Sequence, residues 1–475
     1  MTRFILFFLG IFSLGCAQLA LAQSNTSLPE QPKSDSLQVR NIYVDCHKRT
    51  KDRIILRELA LYTGMRVARA DLESVLSKEA NKVFNTGLFV KVDVVYDEFE
   101  KGHIDVIVVV REQWYLFPIP LIDFADRNIN EWIKQHNASL DRLEYGMFFQ
   151  QKNFRGRNED LVLTLQLGFT KRVALDYKVP YINKKQTIGM KLSTSYNENK
   201  NLAFATDSNK LRFLDSDYAL RSRFHAAIGF TKRSKYYTIH SLSGRFHENN
   251  IKDTISLLNP DYYLNGRKHQ RFFSAEYNLT YDRRDRAPYP LKGSYVSVNV
   301  LKQGLLPTDD LNAMILTSHV AKFFNYKDRF YATTSLLLKT SFPSRQPYSE
   351  LRGLGYNNFV MRGFDQFVID GQNLLIQKNT VKMKLFNTEK KINFLNIDQF
   401  NLVPLAAYLK VFVDYGYVQN TSPNAERNNF TNSKLWSYGV GVDFVTYYNF
   451  VARFEYVKNS FGQFDGFMFN LGADF

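Results

Sequence analysis

The chain has 475 residues, 62 Lys+Arg against 46 Asp+Glu, a net charge of +16, and 15% aromatic residues, among them 40 Phe and 28 Tyr. A chain this aromatic is not disordered. Its two cysteines exclude a disulfide scaffold, and beyond the N-terminus no apolar run reaches the ~20 residues of a membrane helix, which excludes a helical membrane bundle.

Residues 1–22 read as a secretory signal. Arg3 is followed by an uncharged apolar stretch from Phe4 to Gly15, and Ala20-Leu21-Ala22 is a small-residue cleavage site. A lipid-anchored alternative through Cys16 lacks the Leu expected three positions upstream. Cleavage leaves Cys46 as the only thiol. Residues 23–37 (QSNTSLPEQPKSDSL) have the composition of a flexible tether.

Residues 38–112 alternate strand and helix patterns. Val39–Val44 is a short strand. Lys51–Tyr62 and Asp71–Asn85 carry helical spacing, with Thr50 as the N-cap of the first. Val90–Tyr96 and Ile104–Arg111 alternate as strands. The order β-α-α-β-β describes a small α+β domain with its helices on one sheet face.

In residues 113–475 helical periodicity nearly vanishes and period-two strands recur. Leu161, Leu163, Leu165, Leu167 and Phe169 share one face, with Val162, Thr164, Gln166 and Gly168 on the other. Trp436–Phe444 and Phe467–Phe475 repeat this alternation. A soluble sandwich alternates too. The number of strands, the aromatic apolar face, the secretion signal and the lack of a membrane helix favour a closed barrel in a membrane, where every backbone polar group must be paired. We count sixteen strands, centred near Leu116, Tyr145, Thr164, Leu175, Lys191, Ala227, His240, Tyr277, Val298, Leu316, Leu336, Thr380, Val411, Val440, Phe454 and Phe469. The fold class is thus mainly β: a 16-stranded antiparallel transmembrane barrel behind one small α+β domain.

Several segments carry a resemblance. Phe84-Asn85-Thr86-Gly87-Leu88-Phe89 looks like the helix-to-strand turn of a POTRA domain, with Gly87 at the turn and Leu88 and Phe89 reaching back to the core. Tyr281-Asp282-Arg283-Arg284-Asp285, followed by Pro290-Leu291-Lys292-Gly293, resembles a strand-turn-strand signature in which opposite charges neutralise one another. Met361-Arg362-Gly363-Phe364 precedes the twelfth strand. On Leu409–Tyr417 the periodicity puts Leu409, Val411, Val413 and Tyr415 on the lipid face and Lys410, Phe412, Asp414 and Gly416 in the lumen. Phe467, Phe469 and Phe475 resemble an aromatic-terminated insertion signal, although a plain last lipid-facing strand carries the same residues.

Together these resemble the outer-membrane barrel-assembly superfamily, meaning BamA/TamA-type proteins and the two-partner-secretion transporters. The resemblance implies that Arg362, Gly363 and Phe364 lie in a sixth extracellular loop folded into the lumen, with Arg362 meeting Asp414. It implies outer-membrane localisation with a periplasmic POTRA domain, and partners that are membrane lipids, unfolded client polypeptides, and chaperones or accessory assembly subunits. There are departures. Asp370-Gly371 stands where a double glycine is common, and Lys378, Lys382 and Lys384 share a face that, with Arg453, reads equally as a positive lumen stripe or as basic residues solvated in a wet lumen.

The first strand, Trp114–Phe124, contains Pro118 and Pro120, which withhold ladder donors and would weaken a seam with the last strand. No nucleophile elbow, zinc-protease, C-x-x-C or Walker motif occurs, so no enzymatic activity, cofactor or metal is expected. His240 and His247 are the histidines nearest in the strand region and lie on opposite faces. The basic charge invites nucleic acid, but secretion argues against it. The expected function is assembly or insertion of outer-membrane proteins. The alternatives are a dedicated translocation pore and a passive porin-like barrel.

Overall fold

The computed structural model describes residues 36–45, 49–125, 131–133, 137–183, 185–234, 237–356, 359–391, 402–421, 429–446 and 450–472. The signal and nearly all of the tether, together with Cys46 and Phe475, lie outside them.

The chain divides into two compact units. The smaller holds β1 (Ser36–Asp45), β2 (Arg66–Ala68), α2 (Leu72–Phe84) and most of β3 (Phe89–Glu100) and β4 (His103–Glu112); α1 (Asp52–Leu56) belongs to the larger unit. The sheet order is β2-β1-β4-β3, with β1 parallel to β4 and antiparallel to β2. Leu72 and Leu76 of α2 pack on Leu37, Val39, Ile104 and Val106 of the sheet. Arg40 grips Asp105 across β1 and β4 with two hydrogen bonds, 3.1 and 2.8 Å.

The first helix is shorter than its periodicity suggests: it stops at Leu56. The backbone N–H of Ala60 donates to the Glu79 carboxylate, and Gly64, at φ +94°, turns the chain back. Gly64 N–H then donates to Val39, and Val39 N–H to Met65, which lays Arg66–Ala68 on the sheet edge as a strand. Thr50 is not an N-cap. Its hydroxyl binds the Glu112 carboxylate and accepts from Asn153 Nδ2 at 2.8 Å. Gly87 has φ +67°, a conformation only glycine takes without strain, and Leu88 and Phe89 after it are buried.

The larger unit is one sheet of sixteen strands, each antiparallel to its sequence neighbours. In order they are Leu116–Phe124, Leu143–Phe154, Glu159–Gly168, Thr170–Val179, Ile188–Asn199, Arg221–Ser234, Thr238–Ile251 and His269–Asp282, then Gly293–Gln303, Ala313–Tyr326, Phe330–Phe342, Asn373–Lys391, Leu402–Gln419, Lys434–Thr446, Phe450–Asn459 and Asp465–Leu471. All sixteen sequence-derived centres fall inside them. The burial pattern is inverted relative to a soluble sandwich. Leu165, Leu167, Trp436, Tyr438 and Val440 are exposed, while Thr164, Gln166, Ser437 and Asp443 are buried. Polar side chains inside and apolar ones outside are what a lipid solvent selects.

The hairpin Asn201–Asp207/Lys210–Asp215 after the fifth strand and the short helix α3 (Asp253–Leu258) after the seventh have no counterpart in the sequence reading. They share an apolar cluster of Leu202, Leu220, Ile251, Ile255, Tyr262 and Tyr263. Among the described residues no helix is long and apolar enough to cross a membrane.

Candidate functional site

The long connection after the eleventh strand folds against the inner wall. Its anchor is Arg362. Nε donates to Asp414 Oδ2 at 2.7 Å, Nη2 to Asp414 Oδ1, and Nη1 to Thr380 Oγ1 at 3.1 Å. The guanidinium also lies over the Phe412 ring, 3.8 Å from its centroid. Arg362 is 4% and Asp414 0% exposed. Two parallel N–H···O bonds in a site closed to water fix orientation as well as position.

The next residues extend the grip. Gly363 has φ +79°, and a Cβ there would come within 3.0 Å of Val457 Cγ1 and 3.3 Å of Ser437 Cβ. Its carbonyl accepts from Asn459 Nδ2 at 3.0 Å. Phe364 is fully buried, packed edge-on against Phe367 and Phe430. The loop therefore touches strands twelve to fifteen. Asn209, at the tip of the outer hairpin, ties to the same loop through its backbone carbonyl, which accepts from Val368 N–H at 2.8 Å.

The turn between strands eight and nine is held by an ion pair and by capped backbone groups. Asp282 pairs with Arg284, at 2.8 and 2.6 Å, not with Arg283. Arg283 lies over Tyr237. Asp285 caps the turn by accepting the N–H groups of Leu291 and Lys292. Pro290 is buried. Gly293 is at φ +117°, and a Cβ would meet the Arg283 carbonyl at 2.1 Å.

Sequence reasoning passed over Tyr289. It is buried, its hydroxyl donates to Asp443 Oδ2 at 2.8 Å, and Lys382 Nζ lies 4.0 Å from its ring centroid. An aromatic residue between two prolines in a turn was the available signal.

The basic residues of the twelfth strand and Arg453 meet carboxylates over part of their length. Lys410 Nζ sits 2.5 Å from Asp443 and 2.8 Å from Glu455, Lys382 lies 3.8 Å from Asp443, and Arg453 lies 3.7 Å from Glu455. Asp443 and Glu455, on strands fourteen and fifteen, thus offset part of this positive charge. The periodicity aimed the lysines inward but could not show which acids faced them.

The seam prolines gain a direction. Strand one pairs with strand two in unbroken register from Leu116↔Gln151 to Phe124↔Leu143. Lys152 N–H donates to the Tyr115 carbonyl at 2.7 Å, and Ala125 N–H to the Arg142 carbonyl at 2.9 Å. Backbone groups alternate sides along a strand, so odd-numbered residues here face strand two and even-numbered ones face away. Pro118 and Pro120 therefore withhold two successive donors from the free edge of strand one and none from strand two. At the other end of the sheet order, strand sixteen spans only seven residues, Asp465–Leu471. Gly472 N–H donates to Val451 of strand fifteen, so the backbones of Phe467, Phe469 and Leu471 face away from it. Phe467 is exposed against Tyr456, and Phe469 lies 5.0 Å from Phe454.

His225 and His247, not His240, are the histidine pair in space, with ring centroids 6.5 Å apart. Among the described residues no group of His, Cys, Asp and Glu is placed to hold a metal.

Residues 153–375 match the Omp85 superfamily domain. That match covers strands three to eleven, and the barrel fold resembles the BamA/TamA type. BamA from Haemophilus ducreyi lacking POTRA domains 1–3 is similar over 92% of this chain and 84% of that one, at 17% identity and a TM-score of 0.60. CdiB from Acinetobacter baumannii is similar over 92% and 74%, at 14% identity and 0.50. At these identities the likeness speaks for the fold. No curated protein matches the chain. The Omp85 match places the chain at the outer membrane, among factors that insert or translocate proteins.

Proposed function

We propose that this Omp85 barrel inserts client β-proteins into the outer membrane at the seam between its first and last strands, without chemistry of its own and without a cofactor. The observation that carries this is the pair of missing donors at Pro118 and Pro120, both on the seam side. A ladder lacking two successive donors holds weakly, and the carbonyls left there can accept from an incoming strand. The N-terminal domain stands in the periplasm and receives clients along its sheet edge. The Arg362 anchor braces strands twelve to fifteen while the seam moves.

A second reading, secretion of a partner through the lumen, is supported by the polar inner wall. Depletion of the protein, followed by quantification of the outer-membrane proteome, separates the two. Loss of many unrelated barrels, restored by wild type but not by Arg362→Ala, supports insertion. Loss of one secreted protein supports translocation. An unchanged proteome rejects both and returns the passive barrel to the front.

A further inference from the structure

The inner wall is not electrically uniform. On strands twelve to fifteen, Lys382, Lys410 and Arg453 have carboxylate partners. Strands four to seven carry Arg172, Arg221, Arg223 and Arg245 on the lumen-facing register. Arg172 and Arg223 flank Asn197 from either side, and His225 faces His247 between the rows of Arg223 and Arg245. Strands lie ~4.8 Å apart, so Arg172 and Arg223 are separated by about 10 Å at the backbone.

The lumen-facing carboxylate of these four strands is Asp176, already paired with Lys191 at 2.9 Å, and on strand two Glu144 lies within electrostatic reach of Arg172. Arg221 donates to Tyr262 and Asn199, both uncharged. The Nε–H groups of Arg172, Arg223 and Arg245 are buried and donate to nothing among the described residues. Buried guanidinium donors without acceptors, massed with like charges, are costly unless an anion joins them.

We infer that this wall is a binding site for an extended acidic polypeptide segment, whose carboxylates enter between Arg172, Arg223 and Arg245. Along the strands Arg245 lies two two-residue rows from the Arg172–Arg223 row, about 13 Å at ~3.3 Å per residue, and this spread in two directions fits a chain of carboxylates better than one compact anion. Guanidinium forks match carboxylates in pairs. The inference rests on the reading of this barrel as a handler of polypeptides and holds for either route of the client.

The test is calorimetric titration of the full chain in detergent with a ten-residue oligoglutamate. Oligoglutamine and inorganic phosphate are the comparison probes. Three proteins are compared: wild type, Arg172→Gln/Arg223→Gln/Arg245→Gln, and a control, Lys171→Gln/Lys232→Gln/Arg233→Gln, that removes three exposed charges. Wild type and control should bind oligoglutamate, weakening as salt rises, and the arginine variant should bind at least about tenfold less tightly. That variant should also resist heat at least as well as wild type, because removing crowded like charges relieves repulsion. Equal binding by wild type and a folded arginine variant overturns the inference, as does equal binding of oligoglutamine. Phosphate binding without oligoglutamate binding also overturns it, in favour of a phosphate site. If the triple variant does not fold, Arg223→Gln alone repeats the comparison with the same criteria. A depletion experiment that leaves the proteome unchanged bears on the function and not on this titration.

Discussion

Arg362 and Asp414 are 52 residues apart in sequence and joined by two parallel hydrogen bonds inside the barrel wall. With Thr380 and Phe412 occupying the remaining guanidinium surface, the loop has one seat. Removing either partner leaves a buried charge alone, which costs about 3–5 kcal/mol. Arg362→Ala and Asp414→Ala should each lower the temperature at which the barrel loses its heat-resistant gel mobility. Arg362→Lys should rescue little, since an ammonium cannot offer the fork. Full stability in Arg362→Ala would show that the loop is held by Phe364 and its aromatic neighbours instead.

The Lys410 network makes a different demand. Lys410→Met strands Asp443 and Glu455 with insufficient counter-charge, a loss of about 3–5 kcal/mol. Combining it with Asp443→Asn and Glu455→Gln should recover most of that loss, because the charges leave together. A triple variant as unstable as the single one contradicts the pairing.

Gly293 is required by both its φ of +117° and the 2.1 Å approach of the Arg283 carbonyl. Gly363, at φ +79°, meets only side-chain atoms, the nearest at 3.0 Å. Gly293→Ala should therefore be the more damaging, by at least about 1 kcal/mol in thermal melting of the folded barrel. The opposite ranking would mean that the turn can open without cost.

In the N-terminal domain the Arg40 guanidinium holds the Asp105 carboxyl below its usual value. A depressed carboxyl pKa stabilises above the unfolded value near ~3.9, and that contribution fades as pH falls through the folded value. Amide exchange over residues 36–110 should be faster in Asp105→Asn than in wild type at neutral pH, with the difference shrinking in acid. A difference that persists unchanged at low pH assigns the effect to something other than ionisation.

Much of the fold was legible because a barrel writes its period directly into the chain. Strand centres such as Leu116 and Thr380 needed only alternation and turns, and Asp414 was aimed inward by parity alone. What alternation does not encode was missed. The arrest of the first helix depends on Glu79, 19 residues from Ala60. The neutralisation of Lys410 depends on strands fourteen and fifteen. The seam direction of Pro118 and Pro120 depends on which edge of strand one is paired, and no single-strand pattern carries that. Tyr289 lay in a turn, where period-two reading has no grip.

Insertion at the seam depends on its missing donors, and restoring them is the direct test. Pro118→Val/Pro120→Val returns two backbone N–H groups to the free edge of strand one while leaving its pairing with strand two intact. Liposomes containing wild type or this variant are challenged with a urea-unfolded client barrel, and the folded client is quantified by its protease-resistant, heat-modifiable form. Insertion at a labile seam predicts that this variant is more heat-resistant and inserts client several-fold more slowly. A variant that inserts client at the wild-type rate despite a stabilised barrel would contradict it.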